Sequence, residues 1–235
     1  PTGKKILHVA ADRAVPVVVE MGGKSAAIVY PDADINKVVE TAKGAIFGHA
    51  GQICSAMARV VVHKSVKSEL LDKLAKLSKS LKVGAGYEDG ELTPVISEKQ
   101  LQKVENYARS GTQAGAEAIA GGKRVDRPGY FFEATVFDKV KQDMTIANEE
   151  IFGPILSVIE YQDPEEAIKI ANDTEYGLAA GVFTKDLDQA TVASNQLEVG
   201  QVYVNSWFTG SIATPFGGYK QSGYSREKGQ EALKS

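Results

Sequence analysis

Short β-branched runs alternate with amphipathic segments along almost the whole of this chain, and that alternation restricts the fold more than any other feature. Residues 15–20, 25–30, 58–63, 130–137, 155–161, 179–184 and 201–205 read as strands; the first is a continuous buried run and 155–161 alternates. Residues 4–14, 65–82, 97–111, 164–172 and 187–196 read as helices, with 65–82 basic and amphipathic and 97–111 exposed. A further helix follows Asp32 or Asp34, either of which suits its N-cap, with Ile35, Val38, Val39 and Ala42 on one face. Pro16 interrupts the first helix. Residues 84–94 and 121–129 are loop or turn-rich connector. Elements in this order predict an α/β fold: a mainly parallel sheet with helices on both faces.

Size and composition narrow the function classes. At 235 residues the chain accommodates one large α/β domain or two small ones, one compact domain being the simplest reading. A hydrophobic fraction of 43% supports a sizeable core and excludes a disordered chain. The net charge of −3 gives no electrostatic reason for a nucleic acid or an anionic membrane as partner. No apolar run approaches the roughly 18 to 20 residues that span a bilayer, and the first residues lack a signal-peptide apolar region. One cysteine excludes an intramolecular disulfide and a cysteine-cluster zinc site, and its free thiol fits a reducing, cytoplasmic setting. His8, His49 and His63 show no metal-ligand spacing. The chain starts without methionine, so processing removed it or the chain is a piece of a longer protein; the second reading is adopted.

The cysteine is the natural centre of any chemistry. Cys54 lies in Gly51-Gln52-Ile53-Cys54-Ser55-Ala56, where small residues allow a ligand close to the backbone. If Cys54 begins a helix, its backbone N–H faces an incoming oxyanion and its thiol pKa falls. A free cysteine is more often a small buried hydrophobe. Glu20 ends the apolar run before Gly22-Gly23, where burial would raise its pKa and suit it to act as a general base. The bland alternative is a strand-end carboxylate in a structural salt bridge. Thiol and carboxylate together make a minimal kit for covalent chemistry at a carbonyl.

Four strings then carry a family resemblance: Glu20-Met21-Gly22-Gly23-Lys24-Ser25; Gly51-Gln52-Ile53-Cys54; Asn148-Glu149-Glu150-Ile151-Phe152-Gly153-Pro154; and Pro215-Phe216-Gly217-Gly218-Tyr219-Lys220-Gln221-Ser222-Gly223. In this order they resemble the aldehyde dehydrogenases, with Met21 where the family usually has leucine. The resemblance implies Cys54 as nucleophile and Glu20 as the base that activates water. It implies NAD or NADP as cofactor, with Glu150 on the nicotinamide ribose and Phe152 flanking the nicotinamide. Met21 and Gly22 join that surface, Gly3 is what is left of a cofactor turn, and Gln100 and Lys103 match positions that touch the cofactor in some members. Phe216 matches an aldehyde-tunnel aromatic, and Trp207, Phe208 and Thr209 fall in the substrate-facing loop. On this resemblance residues 1–20 are the end of a dinucleotide-binding domain. Residues 21–235 are the catalytic domain without its C-terminal oligomerisation strand, from a parent that forms dimers or tetramers. The oxyanion-hole asparagine and most of the cofactor fold would lie upstream, so the isolated chain is expected to be a poor enzyme.

Other readings compete. A cysteine hydrolase or esterase would use Cys54 with a histidine base, and His49 is five positions away. A non-catalytic structural or interaction fragment would leave Cys54 inert. An acylating enzyme that passes the thioester to coenzyme A is disfavoured by Glu20.

Overall fold

The structure, a computed structural model, describes residues 2–234. The elements run α1 (Thr2–Arg13), β1 (Val19–Glu20), β2 (Ala26–Val29), α2 (Ile35–Ala42), β3 (Arg59–His63) and α3 (Lys64–Ser80). They continue α4 (Glu98–Gln113), β4 (Glu117–Ala120), β5 (Thr135–Asp138), α5 (Thr145–Asn148), β6 (Ile155–Tyr161) and α6 (Pro164–Asn172). The last are β7 (Tyr176–Gly177), β8 (Ala179–Phe183), α7 (Leu187–Gln196), β9 (Gln201–Val204), β10 (Tyr219–Lys220) and β11 (Gly223–Tyr224).

Seven strands form one sheet in the order β4-β5-β6-β3-β2-β8-β9. Every neighbouring pair is parallel except the edge pair β4–β5, which is antiparallel. A parallel sheet needs crossovers that return over a face, and helices supply them. The core under α2, α3, α4 and α5 includes Val38, Leu70, Leu74, Leu101, Val104 and Ile146. On the opposite face Ile28, Val61, Ala167, Ala171, Ala190 and Ala193 pack under α6 and α7. The α/β expectation with helices on both faces therefore holds. Asp34, not Asp32, caps α2, accepting from the Lys37 N–H.

Three local expectations need correction, and one strand was not expected. Residues 15–20 form no buried strand: Val15 and Val18 are exposed. Only Val19–Glu20 pair, antiparallel to Gly223–Tyr224 and outside the main sheet. Pro16 lacks a ladder donor, which explains the loss of the first half. The helix expected at 97–111 is not simply exposed, because Leu101, Val104, Ala108 and Gly111 are buried. Ile155–Tyr161 does not alternate; six of its seven residues are buried, as a strand covered on both faces demands. The edge strand β4 has no counterpart in the sequence reading. Its exposed Glu117 and Ala118 make a weak strand signal.

Candidate active site

The segments carrying the sequence-derived candidates converge at the amino ends of the central parallel strands. Glu20-Met21-Gly22 enters β2, the Cys54 turn enters β3 and Glu150-Ile151-Phe152 enters β6. Open α/β sheets usually bind ligands at the carboxyl ends, so the placement sets this fold apart.

Cys54 lies in a turn closed by the Ala56 N–H donating to the Ile53 carbonyl, 3.0 Å. It does not begin a helix; a short π and 3₁₀ segment precedes it instead. Burial pushes its thiol pKa up, the Ser55 backbone N–H opposes that, and the Glu20 and Glu150 carboxylates add to the rise. The lowered pKa expected from a helix N-terminus is thus overturned. The backbone that shapes the turn is special: Gly51 has φ +69°, and a Cβ there would overlap the Gly153 carbonyl. Among the described residues the Cys54 N–H meets no protein acceptor, so it stays available to an incoming oxygen.

Glu20 is held by the pairing of β1 with β11. Both its carboxylate oxygens are shielded from solvent and meet no hydrogen-bond donor among the described residues. Burial raises its pKa, the Glu227 charge raises it further and Arg226 partly offsets both. The structural salt-bridge alternative finds no ion pair for it among the described residues.

The Glu150 segment is clamped from below by one face of α4. Gln100 Nε2 donates to the carbonyls of Ile151 and Phe152, at 3.0 and 2.7 Å. Lys103 Nζ donates to the Glu150 carbonyl, 3.0 Å, and the Tyr107 hydroxyl to Glu149 Oε2, 2.6 Å. Gln100, Lys103 and Tyr107 are three and four residues apart and so share a face. Gln100 and Lys103 therefore act first on the protein's own loop. Phe152 sits at φ 59°, a conformation costly for a bulky residue and retained only when its surroundings enforce it. The Glu150 carboxylate accepts from the Gly23 N–H, 3.1 Å; burial raises its pKa, while that bond and the charges of Lys103 and Lys24 oppose the rise. A Cβ on Gly22 would fall 2.5 Å from Glu150 Oε2, so only glycine leaves the carboxylate its place. Gly3 in α1 lies against Met21, linking those two candidates to each other.

The substrate-loop candidates separate. Trp207 is buried and its indole N–H donates to the Ser55 carbonyl, 3.0 Å, one residue beyond the cysteine. It supports the Cys54 turn from beneath. Thr209 bonds Ser206 in its own loop and lines an outer groove. Phe208 and Phe216 line a cleft of about 310 Å³ together with Ile53 and Ser55, the two neighbours of Cys54. Tyr203 lines it too, and its phenol lies close enough to Cys54 for a thiolate there to raise its pKa, although burial is the larger cause. A larger groove of about 650 Å³ runs along α4 past Gln100, Lys103 and Tyr107.

The residues missed by sequence reasoning are Tyr107, Tyr203, Gln201 and Lys24. Gln201 accepts from the Tyr203 hydroxyl, 2.7 Å, and donates to the Pro215 carbonyl, fixing one wall of the cleft. Lys24 is fully buried with no hydrogen-bond partner for Nζ among the described residues. Burial, then the neighbouring Arg59 charge, brings its pKa down to about 7, against the pull of Glu150 and Glu149. A lysine after Gly-Gly reads from sequence as an exposed turn, so no signal marked it. His49 is exposed and makes no hydrogen bond to Cys54 among the described residues, so the histidine-based hydrolase lacks its base.

The whole chain, residues 1–235, matches the model of the aldehyde dehydrogenase family. The chain belongs to that family. It is 42% identical over 233 residues to a mitochondrial aldehyde dehydrogenase of Leishmania tarentolae, covering 98% of this chain and 47% of that protein. It is 47% identical over 234 residues to the mitochondrial aldehyde dehydrogenase family 2 member B4 of Arabidopsis thaliana, covering 99% and 44%. An NAD+ complex of the Bacillus cereus aldehyde dehydrogenase superposes with a TM-score of 0.96 at 42% identity, covering 99% of this chain and 48% of that one. The chain thus spans about half the length of these aldehyde dehydrogenases. Relatives named as mitochondrial stand among them, so family membership assigns no compartment, and the cytoplasmic expectation gains no support from it. Among the described residues no helix is long and apolar enough to cross a membrane, and no cluster of three His, Cys, Asp or Glu could hold a metal.

Proposed function

We propose that this chain is the nucleophile-bearing portion of an enzyme that oxidises an aldehyde to a carboxylic acid with NAD or NADP. The observation that carries the reading is the convergence of Cys54, Glu20 and Glu150 at one end of the sheet, close enough for both carboxylates to act on the Cys54 thiol. On this reading residues 1–20 end the dinucleotide-binding domain and 21–235 form the catalytic domain of a dimeric or tetrameric parent.

A nicotinamide ribose suits the half-site: Glu150 keeps an acceptor oxygen beyond the one bonded to Gly23, and Gly22 leaves the room that any side chain would fill. Glu150 would hold the ribose hydroxyls and Phe152 would flank the ring. When bound, the nicotinamide supplies the acceptor for the hydride leaving the aldehyde carbon. The chain's residues supply the rest. The Cys54 thiolate forms an S–C bond to the carbonyl carbon, and the carbonyl pair moves onto oxygen, facing the Cys54 N–H. After oxidation Glu20 takes a proton from water as its oxygen adds to the acyl carbon. The C–S bond then breaks, returning the thiolate and releasing the acid. The raised pKa of Glu20 suits a base working near neutrality.

The test is the rate of Cys54 alkylation by iodoacetamide from pH 5 to 10, in the wild type and Glu20→Gln. Removing the Glu20 charge takes away one cause of the raised thiol pKa, so the profile should move to lower pH. Identical profiles would sink the paired site and favour the inert-fragment reading.

A further inference from the structure

The cleft beside Cys54 has a charge of one sign. Its walls are apolar where Ile53, Phe208 and Phe216 face it and hydroxylic at Tyr203, Ser211 and Thr214. Lys228 is the one charged residue among the described residues that line it. Its Nζ sits 5.4 Å from the centroid of the Phe216 ring, a cation–π distance that holds the ammonium over the wall. Among the described residues Lys228 forms no ion pair with a carboxylate. The local acidic groups, Glu20 and Glu227, interact with each other and line no part of this cleft. Lys228 is exposed, so its charge acts on the cleft through solvent and is screened by salt.

We infer that this cleft selects short aldehydes carrying an anionic group, most simply a carboxylate, at the end remote from the aldehyde. The tail is drawn to Lys228 while the carbonyl carbon reaches Cys54 between Ile53 and Ser55. Lys228 is a specificity-determining residue, and an aldehyde with a cationic tail is disfavoured. The inference rests on the proposed role of Cys54, and its test separates the two.

Iodoacetate and iodoacetamide differ in one charge and react alike: the Cys54 thiolate forms an S–C bond, the C–I bond breaks and iodide leaves. The ratio of their second-order rate constants at low salt therefore reads the charge of the cleft. Lys228→Gln should lower the iodoacetate-to-iodoacetamide ratio about three- to tenfold and leave the iodoacetamide rate within about twofold. Lys228→Arg should keep the ratio, and 0.5 M salt should erase the difference between wild type and Lys228→Gln. An equal ratio in wild type and Lys228→Gln overturns the charge selection while leaving the nucleophile intact. Labelling of Cys54 by neither reagent, even at pH 10, overturns the nucleophile itself, and the selection with it.

Discussion

Two loops flank Cys54 and are built in opposite ways. The Glu150–Phe152 loop is held by Gln100, Lys103 and Tyr107 from another element, with Phe152 kept in a left-handed conformation. The loop from Ser206 to Thr214 combines bonds among its own hydroxyls, Ser206 to Thr209 and Ser211 to Thr214, with two outside ties, the Trp207 indole to the Ser55 carbonyl and the Gly229 N–H to the Ile212 carbonyl. Its Ile212 is largely exposed and Phe208 partly so. On the proposed function, the side that would hold the cofactor is fixed chiefly from outside, and the side that would meet substrate relies in part on its own short-range bonds. The scaffold can then change specificity without disturbing the chemistry.

The sharpest way to break this contrast is at Gly51, where the fixed side meets the nucleophile turn. Gly51→Ala forces a Cβ against the Gly153 carbonyl at a left-handed φ. It should destabilise the chain by about 2–4 kcal/mol, read as a lower urea midpoint. A loss under about 0.5 kcal/mol would show that the turn is slack. Gln100→Ala should come next, costing about 1–3 kcal/mol for two carbonyls left without a donor. Hydrogen exchange should then quicken at 149–153 more than at 206–214. Equal quickening of both loops would erase the contrast.

Trp207→Phe keeps the buried ring and deletes the bond to the Ser55 carbonyl, at about 1–2 kcal/mol. It should also slow Cys54 alkylation several-fold by loosening the turn; an unchanged rate would show that the indole N–H is dispensable to the thiol. Ser206→Ala with Thr209→Ala should stay within about 0.5 kcal/mol of wild type in the same unfolding assay.

Glu20→Gln has a signed pH effect on stability. A carboxylate whose pKa is raised by folding favours the folded state in its protonated form. That contribution is complete below the unfolded value of 4.5 and is lost as pH rises through the raised folded value. Glutamine stays neutral, so the variant should be the more stable protein at pH 7, with the difference vanishing towards pH 4. A variant less stable at pH 7 would mean that the carboxylate is a structural ion-pair member.

Period and strand–helix order were enough to read the central sheet. Residues 164–172 and 187–196 appear as α6 and α7 with the same bounds, because Pro164 and Asp186 mark their starts. Cys54 and Glu20 stood out as candidates because small residues flank both of them. What was hidden is what only the third dimension creates. Trp207 looks like a substrate contact until β9 carries it beneath Ser55. Gln100 and Lys103 look solvated until α4 meets the carbonyls of a segment some fifty residues on. The raised pKa of Cys54 comes first from burial and then from carboxylates brought from two other segments, so a local reading expects the opposite direction.

The two-residue pairing of Val19–Glu20 with Gly223–Tyr224 also sets an order of events during synthesis. A ribosome releases the cysteine and the strands around it long before the partner of the Glu20 segment emerges. Contacts so distant in sequence form late. The nascent sheet therefore carries Cys54 while the Glu20 segment still lacks its partner strand.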